Sequence, residues 1–222
     1  MLSENVLDVL SMLPQATVET VYMTFVSTVF ACLLGFPLGI FLYVSSPSGL
    51  APRQITYNVL SRLVNIFRSL PFIILMILLI PLTRFIIKTS IGPTAVIIPL
   101  SIAAAPFVAR LAEAALAEVD PGVMTAAKAM GSTNFQIIRK VLIPEAMPAL
   151  VSGLALTIIS LIGYSAMAGA IGGRGLGDLA IRYGYYRFRT DVTIGAVVVI
   201  LILVETVQIT GSVISRRLLS KR

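Results

Sequence analysis

The residue best placed to do chemistry in this 222-residue chain is Glu205, a carboxylate in the middle of an otherwise apolar run over 192–214. Charge is costly in hydrocarbon, so such a group either carries protons or ions through a transport cycle or stays protonated and packed against a neighbouring helix. Thr206 and Gln208 stand beside it and can share its hydrogen bonds. Arg110, near the inner end of another apolar run, can snorkel or pair with Glu113, one helical turn away. Beyond these the inventory is short. There is no histidine, one cysteine (Cys32), and no set of carboxylates at metal-ligand spacing, so neither a metal nor a cofactor is expected. No G-x-x-x-x-G-K-[ST] loop is present to cradle phosphates, so ATP hydrolysis by this chain alone is not expected either. The run Gly172-Gly-Arg-Gly-Leu-Gly177 has the glycines of a dinucleotide loop, but it follows an apolar helix rather than a strand and reads as a flexible turn. The chain does not read as an enzyme.

The elements that carry these groups are set by composition. With 57% hydrophobic and 12% charged residues, the chain cannot be folded around one water-soluble core. Five runs are apolar enough to cross a hydrocarbon layer of roughly 30 Å, which takes about 20 helical residues. They cover 17–44, 58–87, 93–117, 147–171 and 192–214. The runs are continuous rather than alternating, so they predict helices and not a barrel. The expected fold class is all-α: a polytopic membrane protein of about five transmembrane helices, one domain over 1–222.

Basic residues give the orientation, because they collect in short loops on the cytoplasmic side. The first sixteen residues hold Glu4 and Asp8 and no Lys or Arg, whereas the end carries Arg216, Arg217, Lys221 and Arg222. The N-terminus is expected outside and the C-terminus in the cytoplasm, with eleven of the seventeen basic residues inside. The net charge of +7 then follows from topology and attraction to the anionic headgroups of the lipid bilayer, and no nucleic acid is expected as a partner. No basic segment or small-residue cleavage site precedes the first run, which reads as a retained anchor.

Between the third and fourth runs lies a polar insert over 120–144 with its own start and stop signals. Asp120 can cap a helix whose first position is Pro121, and Gly131 is suited to end it in a left-handed conformation. Val123, Ala127 and Met130 fall at helical spacing on one face, with Thr125 and Lys128 toward others. Thr133 and Gln136 have the spacing of a capping box, Phe135, Ile138 and Leu142 form the next apolar stripe, and Pro144 and Pro148 bracket a bend into the fourth run. A short helix along the membrane surface suits either a soluble partner's groove or a plain interfacial role.

The spacing of this insert resembles the signature of ABC importer permeases: E-A-A, three residues, G, nine residues, I-x-L-P. Ala126, Ala127, Gly131 and Pro144 match it, Val141 and Ile143 are conservative replacements, and Thr125 stands where the family has glutamate. A closer resemblance, to permeases of methionine importers, is carried by Asn65-Ile-Phe-Arg-Ser-Leu-Pro-Phe-Ile-Ile74, Ala105-Pro-Phe-Val-Ala-Arg110 and Gly163-Tyr-Ser-Ala-Met167. The resemblance implies a multi-pass protein of the bacterial cytoplasmic (inner) membrane that takes up methionine, D-forms and relatives included. It implies a homodimer with a second permease copy, two ATP-binding subunits inside and a methionine-binding protein outside. The insert is then the cytoplasmic coupling helix, with Thr125, Ala126, Ala127, Lys128, Met130, Gly131 and Pro144 as its coupling residues.

The pathway and gate are expected around Tyr164, Ser165 and Met167, where Gly163, Ala166, Ala168 and Gly169 allow close helix approach. The loop 182–189, with Tyr183, Tyr185, Tyr186 and Phe188, serves either to dock the binding protein or as an aromatic belt. Two other readings stand beside this one: an ion-coupled secondary transporter centred on Glu205, and an ABC permease for another amino acid. A structural or signalling membrane subunit would need no pathway at all.

Overall fold

The computed structural model describes residues 2–220, with side chains described from residue 8 onward. Glu4, Lys221 and Arg222, three of the charges behind the orientation, therefore lie outside the described side chains. Every regular element among the described residues is helical. Helix α1 spans Leu2–Ser45, and α5 spans Pro93–Ala117 as the third apolar run predicts. Helix α8 spans Ile143–Gly169 and α10 Thr190–Leu219. At 1.5 Å per residue the 44 residues of α1 extend about 66 Å, roughly twice the hydrocarbon thickness. Val9 and Ala16, ahead of the apolar run, pack with Leu176, Leu179, Val192 and Ala196.

Small residues decide where α1 settles. A Cβ on Gly35 would come within 2.4 Å of the Ala105 carbonyl oxygen, and one on Gly39 within 2.5 Å of that of Ala109. The bare glycine backbone thus lets α1 lie directly on α5, its most extensive partner. Around this seam Met23, Phe72, Leu100, Ala104 and Leu161 close the central core.

The second run is not a single crossing helix. It breaks into α2 (Gln54–Ser69), α3 (Phe72–Leu78) and α4 (Ile80–Ile87), and α3 turns 100° away from α2. The cause is Pro71: it has no N–H to donate, and it drives Leu70 into extended backbone at φ −76°, ψ 128°. Among the described residues four helices are long and apolar enough to cross a membrane, and the bent pair makes a fifth crossing if taken as one. Arg110 ties α2 to α5, pairing with Glu113 at 2.6 Å and donating to the Ser61 carbonyl and to Asn65 Oδ1, each at 3.0 Å.

At the bend expected between Pro144 and Pro148 the helix is not interrupted: from α7 (Asn134–Ile137) the chain passes through one widened turn, Ile138–Leu142, directly into α8. The Ile143 N–H reaches back to the Ile138 carbonyl, so the turn holds one extra residue just where Pro144 cannot supply a hydrogen bond.

Candidate functional site

The insert folds into α6 (Pro121–Ala129), and its ends form as the residue types dictate. Asp120 Oδ1 accepts from the Gly122 N–H at 2.7 Å, and Pro121 takes the first helical position. At the other end Gly131 sits at φ +79°, with its N–H on the Lys128 carbonyl at 2.9 Å and the Ser132 N–H on the Ala127 carbonyl at 3.1 Å. This pair of bonds closes the helix in a Schellman turn, which needs a residue at home in left-handed backbone. Thr133 and Gln136 then form a reciprocal capping box for α7, with bonds of 2.8 and 3.3 Å.

The face of α6 that meets the body of the protein is narrower than its apolar spacing predicts. Ala127 is 3% exposed, in a cluster with Tyr43, Leu116, Ile137, Leu142 and Ala146. Met124 is half-buried, and its sulfur accepts from the Tyr43 hydroxyl at 3.2 Å. Val123 and Met130, expected to share the Ala127 face, are exposed, as is Phe135 beyond the turn. Val123 lies at the edge of the stripe and Met130 caps the helix end, and a helix resting on a surface buries only the centre line of its apolar arc. Behind Phe135 the inward residues are Ile137 and Leu142, both fully buried, with Ile138 half-buried. Thr125, Ala126, Lys128, Met130, Gly131 and Pro144 all face outward. The result is a capped foot anchored by one alanine and one methionine, with a small-residue surface free to be covered.

The expected pathway residues separate. Tyr164 is half-buried and stacks on Phe72, ring centroids 4.8 Å apart and planes within 8°. Gly163 and Met167 lie on the exposed side of α8. Ser165 does not face open surface: it is 1% exposed, and its hydroxyl donates to the Ile162 carbonyl at 2.7 Å. A helix turns 100° per residue, so Tyr164 and Met167, three apart, lie toward one face while Ser165 is turned from it. Phe72, the first residue of α3, is the partner that sequence reading missed. Its signal was the Leu70-Pro71 break, which swings α3 inward and brings Phe72 to α8.

Glu205 points outward from α10, among the exposed Leu201, Ile202 and Ile209. The glycine-rich run is not slack: Gly173, Gly175 and Gly177 are buried, and the run leads into the short helix α9 (Gly175–Leu179). Next to it Asp191 and Asp8 both bond Arg189, and these bonds push the guanidinium further above its already high range, fixing it as a cation. Among the described residues no three of His, Cys, Asp and Glu gather to hold a metal ion.

A foot of this kind on a bundle of membrane-length helices matches a known class. The family described as binding-protein-dependent transport system inner membrane component matches residues 35–222, and the chain belongs to it. Within that class, the D-methionine transport system permease protein MetI of Yersinia pestis is 54% identical over 151 residues, covering 68% of this chain and 70% of its own length. The protein of the same name from Escherichia coli is 52% identical over the same length. A solved inward-facing structure of the MetNI methionine ABC transporter superposes with a TM-score of 0.92 at 46% identity, covering 94% of this chain and 97% of that one. An amino acid ABC transporter crystallised with histidines, at 24% identity and TM-score 0.74, shares the fold. Family membership sets aside the secondary-transporter reading built on Glu205.

Proposed function

We propose that this chain is the membrane permease of an ATP-driven importer of methionine, D-methionine included, and that its 222 residues form a single permease domain. The observation that carries the reading is the α6 foot: a helix capped at both ends, lightly anchored, with Thr125, Ala126, Lys128 and Met130 facing outward beside the turn at Gly131. Two ATP-binding subunits, where hydrolysis takes place, seat these feet on the cytoplasmic side of a permease homodimer. A methionine-binding protein delivers solute on the other side, where the N-terminus lies. The likeness to permeases named for D-methionine transport, over about two thirds of this chain, supports the choice of solute.

In this cycle, closure of the ATP-binding subunits moves α6. Motion passes through Ala127 into the cluster at the base of α5 and α8. It then reaches the Phe72–Tyr164 contact along α8, with Gly163 and Met167 on the side that faces the second copy. Small residues and an adaptable thioether suit a passage that must open and close around an apolar side chain. The energy is supplied by the partner, so this chain needs no catalytic group. Thr125 donates its hydroxyl to the Pro121 carbonyl at 2.9 Å, closing the first turn of the foot instead of offering a carboxylate to the partner.

The test is reconstitution of the chain with an ATP-binding subunit and a methionine-binding protein in vesicles, with several labelled amino acids. Uptake of methionine that needs ATP inside and binding protein outside is the expected result. Uptake without ATP, or an equal preference for an unrelated amino acid, overturns the reading.

A further inference from the structure

The glycine-rich elbow between α8 and α10 is held in place by a helix far away in sequence. Glu19 on α1 accepts the Gly175 N–H at 3.0 Å, and Thr20 Oγ1 accepts the Leu176 N–H at 2.9 Å. Both bonds span 156 residues of chain. They satisfy the first two N–H groups of α9, which have no partner within their own helix. The Arg174 guanidinium lies 3.8 Å from Glu19, completing the charged contact.

The elbow has no room to shift piecemeal. A Cβ on Gly175 would meet Met23 Cε at 2.5 Å and Thr20 Oγ1 at 2.6 Å, so the bare glycine backbone of the elbow lies directly against side chains of α1. On the opposite side, a Cβ on Gly177 would lie 2.2 Å from the Ala166 carbonyl oxygen, and one on Gly169 would lie 2.2 Å from the Asp178 nitrogen. Helix α9 thus folds back onto the end of α8 that carries Tyr164 and Met167. The Gly92 N–H donates to the Gly172 carbonyl at 2.9 Å and ties in the start of α5 as well. Arg174 keeps a left-handed φ of +59°, an arrangement a non-glycine residue holds only where its surroundings fix it.

We infer that Glu19 and Thr20 are a latch on the elbow: they keep the outer end of α8 packed against α1, and the pathway opens outward only when this contact loosens. Glu19 is therefore a positioning residue for the transport cycle, acting on Tyr164 and Met167 through the elbow. The inference rests on the importer reading, with the N-terminal end of α1 outside. Anything that weakens the latch lowers the opposition to outward opening and so shifts the assembled transporter toward the state that ATP closure favours.

The test uses the full chain assembled with its ATP-binding subunit in lipid nanodiscs. Glu19→Ala is compared with Glu19→Gln, which keeps an acceptor oxygen for the Gly175 N–H. Two quantities are read: hydrogen exchange over 174–180, and ATP hydrolysis without binding protein. Expected is tenfold or faster exchange in Glu19→Ala, together with a severalfold rise in basal hydrolysis, and a smaller change in both for Glu19→Gln. Unchanged exchange overturns the inference, and so does faster exchange with basal hydrolysis still fully dependent on binding protein, because the contact is then structural only. If Glu19→Ala does not assemble, Thr20→Val removes the other acceptor at nearly constant volume and is read by the same two results. A wild-type complex whose hydrolysis ignores methionine and binding protein sinks the importer reading instead, while exchange still reports on the latch contact by itself.

Discussion

Replacing Gly131 with valine attacks the foot without touching the core. No atom lies within 4 Å of a Cβ built at this position, so nothing is overpacked, and the whole effect comes from the backbone at φ +79°. An L-residue in left-handed backbone costs about 1–2 kcal/mol, with a β-branched side chain at the upper end. The chain can escape that strain only by leaving the Schellman turn. It then gives up the Gly131 to Lys128 and Ser132 to Ala127 bonds, each worth about 0.5–1.5 kcal/mol. Either route converges on about 2 kcal/mol, and at 1.4 kcal/mol per tenfold this is a loss of about 30-fold in the population of the formed foot. Titration of the ATP-binding subunit onto permease in nanodiscs should show a drop in apparent affinity of that order, with methionine uptake falling in parallel. The melting temperature of the helix bundle should barely move. Gly131→Asn, a residue tolerant of left-handed backbone, should stay within about threefold of the parent protein. If valine leaves affinity and uptake within twofold, or if asparagine is as damaging as valine, the assignment of α6 as the coupling foot is wrong. An aspartate at this position is a weaker probe, because its short polar side chain also accepts left-handed backbone.

Ala127→Leu forces a larger side chain into a site only 3% exposed and should lift the foot at a cost of about 1–3 kcal/mol, seen as lost hydrolysis coupling with the permease still dimeric. Gly39→Ala sets a methyl against the Ala109 carbonyl and Ala112 at 2.5 and 2.6 Å and should lower the unfolding temperature in detergent by several degrees, whatever the state of the foot. Glu205→Gln should leave ATP-driven uptake within twofold and create no dependence on a proton gradient, because the carboxylate points away from the bundle; loss of uptake would return Glu205 to the centre of the mechanism.

Local signals made several elements readable from sequence. The third apolar run coincides with α5, residue for residue. Asp120, Pro121, Gly131, Thr133 and Gln136 each act as read, because a cap or a left-handed turn involves residues within six positions of one another. Arg110 and Glu113 pair for the same reason. The break at Pro71 was also local, but the summed apolarity of 58–87 outweighed a single proline, and hydropathy has no information on direction.

What the sequence determined by itself, then, was the membrane class, the positions of the long helices and the capped foot between two of them, since each depends on periodicity or on contacts within a turn or two. Long-range packing sets the rest: α6 buries Ala127 and Met124 rather than its whole apolar arc, Phe72 meets Tyr164, and Ser165 turns inward. Such packing also decides that a run read as a flexible turn is a packed elbow held by Glu19 and Thr20 from 156 residues away. Glycine carries no side chain to announce its partner, so a close backbone contact of this kind takes its meaning only from the element that comes to lie against it.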